Sequence, residues 1–326
     1  MTHCVFRTFT CTQKWREIEG VYSFIFAPDN CQAIDFKPGQ FVLLKSIIGT
    51  TEVVRCYSIA SLPGQAFIKL TVQTVKDGIM SSWLNQHLDV GAQIEISNPI
   101  GGMTLDHVGS ASSIIMASAG CGIVPLMAML RAALTTDSTR MVYFIHCAKD
   151  EDNIIYKNEL LELDSRYDNL ILDLYLKTPS TCLSAKVSRF GVQEAARLRH
   201  RFDDSVVYLC GSDKFTSELS QHFSAAGVLT SQMYSESYGG KATAHQEPKT
   251  VSVSMPMFNH HMVVERGTDL MEVLHAMHVP EPGGYCQASA AIHYCRMNVE
   301  VLATGDVEVV NACQYPIERD IRIMMI

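Results

Sequence analysis

Basic charge is in short supply. Lys and Arg number 26 against 34 Asp and Glu, giving a formal net charge of −8, and no dense Lys/Arg stripe interrupts the deficit. Nucleic acid is therefore excluded as the expected partner. Also missing is a basic segment followed by an apolar one at the start: Met1-Thr2-His3-Cys4-Val5-Phe6-Arg7 carries no secretory pattern. The one stretch that mimics a membrane span, residues 113–134, is interrupted by Gly120, Gly122, Pro125 and Arg131. It divides into a strand-like Ser113–Ala119, a turn and a helix-like Leu126–Leu134. A parallel-sheet strand buried on both faces gives the same apolar run, so no integral membrane segment is expected. The eleven cysteines read as thiols or metal ligands of a cytoplasmic chain, not as disulfides.

What is present is ample core material: 326 residues, 47% hydrophobic and 18% charged, enough for two or three domains. Residues 1–105 show short strand patterns at all-β spacing, Val21–Phe26, Phe41–Ile47, Val53–Ile59, Phe67–Val75 and Gln93–Ser97. Pro28-Asp29-Asn30, Pro38-Gly39-Gln40 and Pro63-Gly64 mark turns between them. About six antiparallel strands with one helix-like insert, Ser82–Leu88, fit a small barrel.

Within that region Arg55-Cys56-Tyr57-Ser58 closes a strand. The pleat puts Arg55 and Tyr57 on one face and Ser58 on the other. A guanidinium grips phosphate, a phenol covers an aromatic face, and a hydroxyl bonds a ring nitrogen: these are the needs of a flavin nucleotide. Gly78-Ile79-Met80-Ser81-Ser82 precedes the insert, where helix N–H groups and hydroxyls meet a phosphate. A plain Ser N-cap is the alternative there, and convergence with Arg55 on one diphosphate favours the phosphate.

From residue 106 to 240 strands and helices alternate, as in a doubly wound α/β domain. Strands are expected at Ser113–Ser118, Met141–Cys147, Leu170–Leu176 and Val206–Cys210. Helices are expected at Pro125–Leu134, Lys157–Leu163, Val192–Arg199 and Lys214–Ala226. Gly120-Cys121-Gly122 sits at a strand-to-helix turn suited to a pyrophosphate, and Cys210-Gly211-Ser212 ends another apolar strand at the same sheet edge. A buried thiol in a strand is the plain alternative for Cys210.

The ordered set Arg55-x-Tyr57-Ser58, Gly78–Trp83, Gly120–Pro125, Cys210-Gly211-Ser212 and Glu236-Ser237-Tyr238 resembles the ferredoxin–NADP reductase superfamily. That resemblance implies an FAD-binding antiparallel β-barrel at 1–105 and an NAD(P)-binding α/β domain at 106–240. It further implies an oxidoreductase taking electrons from NAD(P)H through FAD to an acceptor protein or small molecule. The catalytic group so implied is Ser58, Cys210 and Glu236, with Ser58 near the flavin and Cys210 beside the nicotinamide. Arg55, Cys56, Tyr57 and Ser58 would contact the flavin, and Gly78, Met80, Ser81 and Ser82 its phosphates. Gly120, Cys121, Gly122, Pro125 and Gly211 would face the dinucleotide, and Tyr238 the flavin. Between NADH and NADPH the resemblance leans to NADH; Lys177 and Arg189 stand where a 2′-phosphate would want a cation, or are simply solvated.

After a polar linker, 241–248, residues 249–326 resemble a plant-type ferredoxin domain of α+β, β-grasp type. Together the parts resemble FAD/2Fe–2S NADH oxidoreductases that serve hybrid-cluster proteins or oxygenases. A hairpin is expected from Thr250–Pro256 and His261–Val264, then an amphipathic helix over Thr268–Met277. Plant-type clusters need Cys-x4-Cys-x2-Cys and a distant fourth Cys. Counted from Cys286, the next two ligand places hold Ala291 and Tyr294; Cys313 matches the fourth, and Cys295 is one residue late. A strand slip of one residue reverses the face. No 2Fe–2S cluster is expected, with Cys286, Cys295 and Cys313 as the candidates for any atypical metal site. A docking or regulatory member of the family is the alternative to an enzyme.

Overall fold

The computed structural model describes residues 6–29, 34–76 and 78–238, five strands after residue 249, and a few single positions between those strands. Two compact units result, one spanning Phe6–Tyr238 and one built from the later strands.

The first unit begins with β1 (Phe6–Ile18), β2 (Val21–Pro28), β3 (Phe41–Ile48), β4 (Thr51–Ser58) and β5 (Ile68–Gln73). Helix α1 (Ile79–His87) and β6 (Gln93–Ser97) follow. Sheet order is β4-β3-β6-β1-β2-β5, antiparallel at every pair. An isolated bridge between Ile59 and Leu70 joins the exit of β4 to β5, and Ala60 N–H donates to the Lys69 carbonyl at 2.7 Å. That bridge closes the barrel one residue past Ser58. Alternate positions turn inward: Phe24 and Phe26 of β2, Val42 and Leu44 of β3, Ile68, Leu70 and Val72 of β5. Removing such rings and branched chains from water is the main favourable term, about 1.5–3 kcal/mol each.

Two differences from the sequence reading have local causes. β1, thirteen residues long, has no place among the expected strands. Its register with β2 shifts at Cys11/Gln13 and Arg16/Ile18, so the apolar alternation breaks and only Phe9 and Cys11 are fully buried. Helix α1 starts at Ile79, three residues before the expected Ser82, because Met80 is an inward residue packed into the barrel core.

The chain then alternates through β7 (Ser113–Ala119), α2 (Ile123–Thr136), β8 (Met141–Ala148), α3 (Lys157–Arg166) and β9 (Leu170–Leu176). It continues with α4 (Val192–Arg201), β10 (Ser205–Ser212), α5 (Asp213–Ala225) and β11 (Met233–Tyr238). The sheet is parallel throughout, ordered β11-β10-β7-β8-β9. In β7, Ile114 and Met116 enter one core and Ile115 and Ala117 the opposite one, which explains a strand apolar at nearly every position. The apolar stretch 113–134 therefore divides into strand, turn and buried helix. Among the described residues no helix is long and apolar enough to cross a membrane.

The second unit is a mixed sheet of β12 (Thr250–Met255), β13 (His260–Glu265), β14 (Arg296–Val301), β15 (Val307–Asn311) and β16 (Ile321–Met324). Its order is β13-β12-β16-β14-β15; β12 and β16 run parallel and the other pairs antiparallel. The expected hairpin is β12–β13. Leu270, Val273 and Leu274 are helical and buried, the i, i+3, i+4 spacing of an inward stripe. Cys286, Cys295 and Cys313 lie outside the described residues, as does the segment 241–248.

Candidate active site where the barrel meets the parallel sheet

In the parallel sheet β7 has β8 on one side and β10 on the other, so the chain reverses its winding between β7 and β10. Open α/β sheets bind ligands outside the carboxyl ends of strands at such a point. Gly120-Cys121-Gly122 follows β7 there, and Cys210-Gly211-Ser212 ends β10.

The two glycines of the first turn differ in use. Gly120 has φ of +52°, and a methyl placed on it would meet nothing within 4 Å. Gly122 is buried, and a methyl there would overlap the Cys210 carbonyl and approach Gly211 N to 2.7 Å. Its bareness lets the turn lie on β10, leaving Gly120 as the residue of the pair bordered by open space. Burial pushes the Cys121 thiol up to about 12, against a backbone bond to Gln73, so it is a neutral thiol. Pro125, expected at a dinucleotide, is buried in the first turn of α2, where a missing N–H costs little. Over Gly211 the space is taken by Phe215, whose ring stands 2.6 Å from where a side chain would begin.

One row of side chains crosses the sheet at this level. Glu236 of β11 pairs with Cys210 of β10, Cys210 with Ser118 of β7, and Ser118 with His146 of β8. Paired residues in parallel strands share a face, so four polar groups line up in a buried layer. Ser118 Oγ lies 2.8 Å from His146 Nδ1, and burial pushes His146 down to about 4, keeping the imidazole neutral. Glu236 is pushed up to about 8 by burial, with neither carboxylate oxygen bonded. Burial and the adjacent Glu236 hold the Cys210 thiol well above its usual range, a bond with Tyr238 opposing them.

The barrel reaches the same place through β4. Ser58 Oγ and the Tyr238 hydroxyl are 2.9 Å apart, and Tyr238 also bonds Cys210. Ser58, Cys210, Glu236 and Tyr238, named from three separate segments of sequence, thus form one cluster across the joint. Buried polar atoms in native proteins nearly always have partners. The unbonded carboxylate of Glu236 is therefore a place that a donor from a bound molecule fits.

On the barrel side Arg55 and Tyr57 share a face, as the pleat requires. Burial drives the Tyr57 hydroxyl up while the Arg55 charge opposes it. Both are half-buried, as is Cys56, and Arg55 Nη1 donates to the Val54 carbonyl at 2.7 Å. At the start of α1, Ser81 Oγ accepts from Val75 N–H at 3.2 Å and donates to the Gly78 carbonyl at 3.4 Å. The Ser81 hydroxyl thus ties the turn, Met80 supplies only backbone, and Ser82 is the half-buried hydroxyl beside them. The first-turn N–H groups of α1 have no intrahelical acceptors and can receive an anion. Lys177 and Arg189 are both exposed.

Ser118 and His146 are missing from the sequence-derived site. Their signal was available: each is a polar residue in an otherwise apolar run, one or two residues before the carboxyl end of its strand.

The family described as the oxidoreductase FAD-binding domain matches residues 10–105, and the oxidoreductase NAD-binding domain matches residues 116–221. It belongs to the ferredoxin–NADP reductase superfamily. Among curated superfamily relatives, a flavohemoprotein of Bacillus subtilis is 28% identical over 248 residues, covering 74% of this chain and 61% of the relative. A glycine betaine monooxygenase reductase subunit of Chromohalobacter salexigens is 29% identical over 234 residues, covering 70% of this chain and 63% of the relative. The match thus spans somewhat under two thirds of these relatives' length. The solved structure of full-length CYP116B46 from Tepidiphilus thermophilus aligns with a TM-score of 0.69 at 17% identity, covering 98% of this chain and 42% of that one. At that identity the likeness speaks to fold alone. Superfamily membership fits the barrel, the parallel sheet and the cluster between them: the chain carries an FAD-binding and an NAD-binding oxidoreductase domain.

Proposed function

We propose that the chain is an NAD(P)H-dependent FAD oxidoreductase that passes electrons from the dinucleotide through the flavin to an acceptor protein. The observation that carries the reading is the Ser58–Tyr238–Cys210–Glu236 cluster, built from both domains at the reversal point of the parallel sheet. The chemistry that bound FAD supplies is acceptance of a hydride from NAD(P)H and release of its two electrons singly.

The residues present suit that group. Arg55 and the first turn of α1, from Gly78 through Met80 and Ser81 to Ser82, offer a guanidinium and backbone donors to a diphosphate. Tyr57 offers a ring face and Ser58 a hydroxyl to the flavin, with Cys56 between them and Tyr238 completing the wall. Gly120 gives close approach for the dinucleotide, with Cys121, Gly122 and Pro125 forming the turn behind it and Gly211 the facing edge. Glu236, buried and unbonded, accepts from an amide such as that of nicotinamide, while Cys210 packs as a soft neutral surface. Lys177 and Arg189 remain the candidates for reading a 2′-phosphate.

The second unit, by its strand order and its hairpin-plus-helix start, is read as ferredoxin-like. Lacking the Cys-x4-Cys-x2-Cys arrangement, it is read as docking the acceptor without an iron–sulfur cluster, as a reductase subunit would need. The domain limits follow the sequence reading, 1–105, 106–240 and 249–326. The described cysteines are all unbridged, which suits the reducing cytoplasm.

Purified protein reconstituted with FAD is expected to be yellow and to bleach anaerobically with NADH or NADPH. A protein that stays colourless after incubation with FAD overturns the reading. One that binds FAD and resists bleaching by both dinucleotides supports instead a docking member of the family.

A further inference from the structure

Away from the Ser58 cluster, a second set of contacts ties the barrel to the parallel sheet. Its centre is Tyr156, the residue before α3, buried and with φ of +60°; among the described residues no other non-glycine has a positive φ. Left-handed backbone is uncommon for a bulky side chain, so its surroundings hold it there. The Tyr156 hydroxyl donates to Thr71 Oγ1 of β5 at 2.5 Å, crossing from one domain to the other. Thr71 Oγ1 and Ser23 Oγ are 2.7 Å apart, and Ser23 Oγ donates to Glu17 Oε1 at 2.6 Å. With the tyrosine as donor, the chain of hydroxyls runs in one direction and ends on a carboxylate, where such bonds are strongest. Glu17 Oε1 also accepts from Trp15 Nε1 at 2.9 Å and from Lys69 Nζ at 3.1 Å.

The Tyr156 ring is gripped as well. Lys69 Nζ lies 4.6 Å and Arg131 Cζ 5.6 Å from its centroid. Arg131, from α2, makes a forked pair with Glu159 at 2.5 and 2.8 Å, and its remaining amino group donates to the Ala60 carbonyl. Ala60 stands two residues after Ser58, at the bridge that closes the barrel. One contact between two bodies leaves them free to rotate about it. Ser58 with Tyr238, Ala60 with Arg131 and Thr71 with Tyr156 hold the two domains at separate points, beside the bonds of Cys121 to Gln73 and of Tyr208 to the Thr104 carbonyl, and contacts at several points restrain the angle.

We propose that Tyr156 and Arg131 form a positioning joint for hydride transfer, setting the angle between the parallel sheet and the barrel and thereby the distance from Cys210 and Glu236 to Ser58. This rests on the reductase reading above. Both residues act through others and are positioning residues, not catalytic ones. Transfer between two bound groups is steeply sensitive to their separation, whereas binding of either nucleotide uses mostly one domain. The joint therefore governs kcat more than KM.

The test uses the full-length FAD-loaded protein with Tyr156→Phe, Thr71→Val and the double variant. Tyr156→Phe removes one oxygen and leaves the ring between its cations. Expected are unchanged flavin content and unchanged KM for NADH, with anaerobic bleaching slowed about tenfold. The double variant is expected to be no slower than the worse single one, since both remove the same bond. In nucleotide-free protein, amide exchange over residues 59–71 and 154–160 is expected to accelerate in each variant. Bleaching within twofold of wild type, or a loss that tracks lost flavin or raised KM, overturns the proposal, as does unaltered exchange. A wild-type protein that is not bleached fails the reductase reading instead, and the exchange data then still decide whether Tyr156 fastens the joint.

Discussion

Glu236 is a carboxylate placed where no charge is comfortable: 2% exposed, with no hydrogen bond to either oxygen and a pKa pushed up to about 8. In the unfolded chain the same group ionises near the ordinary carboxylate value. Between the two values the folded protein binds one proton more than the unfolded one, so stability falls as pH rises and the loss is complete above the folded pKa. The neighbouring titratable groups do not compete in the upper part of that range. His146 is held neutral, and the thiol of Cys210 and the hydroxyl of Tyr238 are pushed far above it. The apoprotein is therefore expected to lose roughly 2 kcal/mol of unfolding free energy between about pH 6.5 and 8.5. In Glu236→Gln that slope should vanish. Urea titrations at four pH values measure it, and a wild-type curve as flat as the variant's would mean the carboxylate has a donor after all.

Among elements, the turn between β7 and α2 shows how much of the fold was legible. Strand β7 and helix α2 announce themselves because one is buried on both faces and the other at eight successive positions, Ile123 through Leu130. β1 and β11 did not. In β1 two register shifts break the alternation, and in β11 the inward place is held by Glu236, which any hydropathy pattern assigns to water. Ser58 and Cys210 were legible because each stands in a short motif at a strand-to-turn junction; Ser118 and His146, just as near the carboxyl ends of β7 and β8, were not, because the apolar residues around them read as plain core. Spacing also left the two glycines of the turn looking alike, whereas their packing separates them. Gly122→Ala puts a methyl against backbone that cannot swing aside, and more than about 3 kcal/mol of stability should be lost. Gly120→Ala has space and pays only for left-handed backbone, about 1–2 kcal/mol. Equal denaturant midpoints for the two variants would show that the turn does not rest on β10 as described.

For the whole molecule the question is which parts the electron-accepting core requires. Phe6–Tyr238 forms a compact unit with its own cores, a closed barrel and a five-stranded sheet whose last strand, β11, pairs with β10 through to Tyr238. Every residue assigned to the flavin or the dinucleotide falls inside it. A chain cut after Ala244 removes no strand from either sheet, so it should fold, keep FAD and bleach with NADH as fast as the full chain. Ferricyanide reduction should survive the cut for the same reason, while transfer to a protein acceptor should not if the second unit is what docks it. Iron and acid-labile sulfide measured on the full chain should both be absent, since Ala291 and Tyr294 stand where two thiolates are needed. If the cut chain loses its flavin, the second unit supports the first. If the full chain holds iron and sulfide in equal amounts, Cys286, Cys295 and Cys313 ligate a cluster and the electron path continues past the flavin.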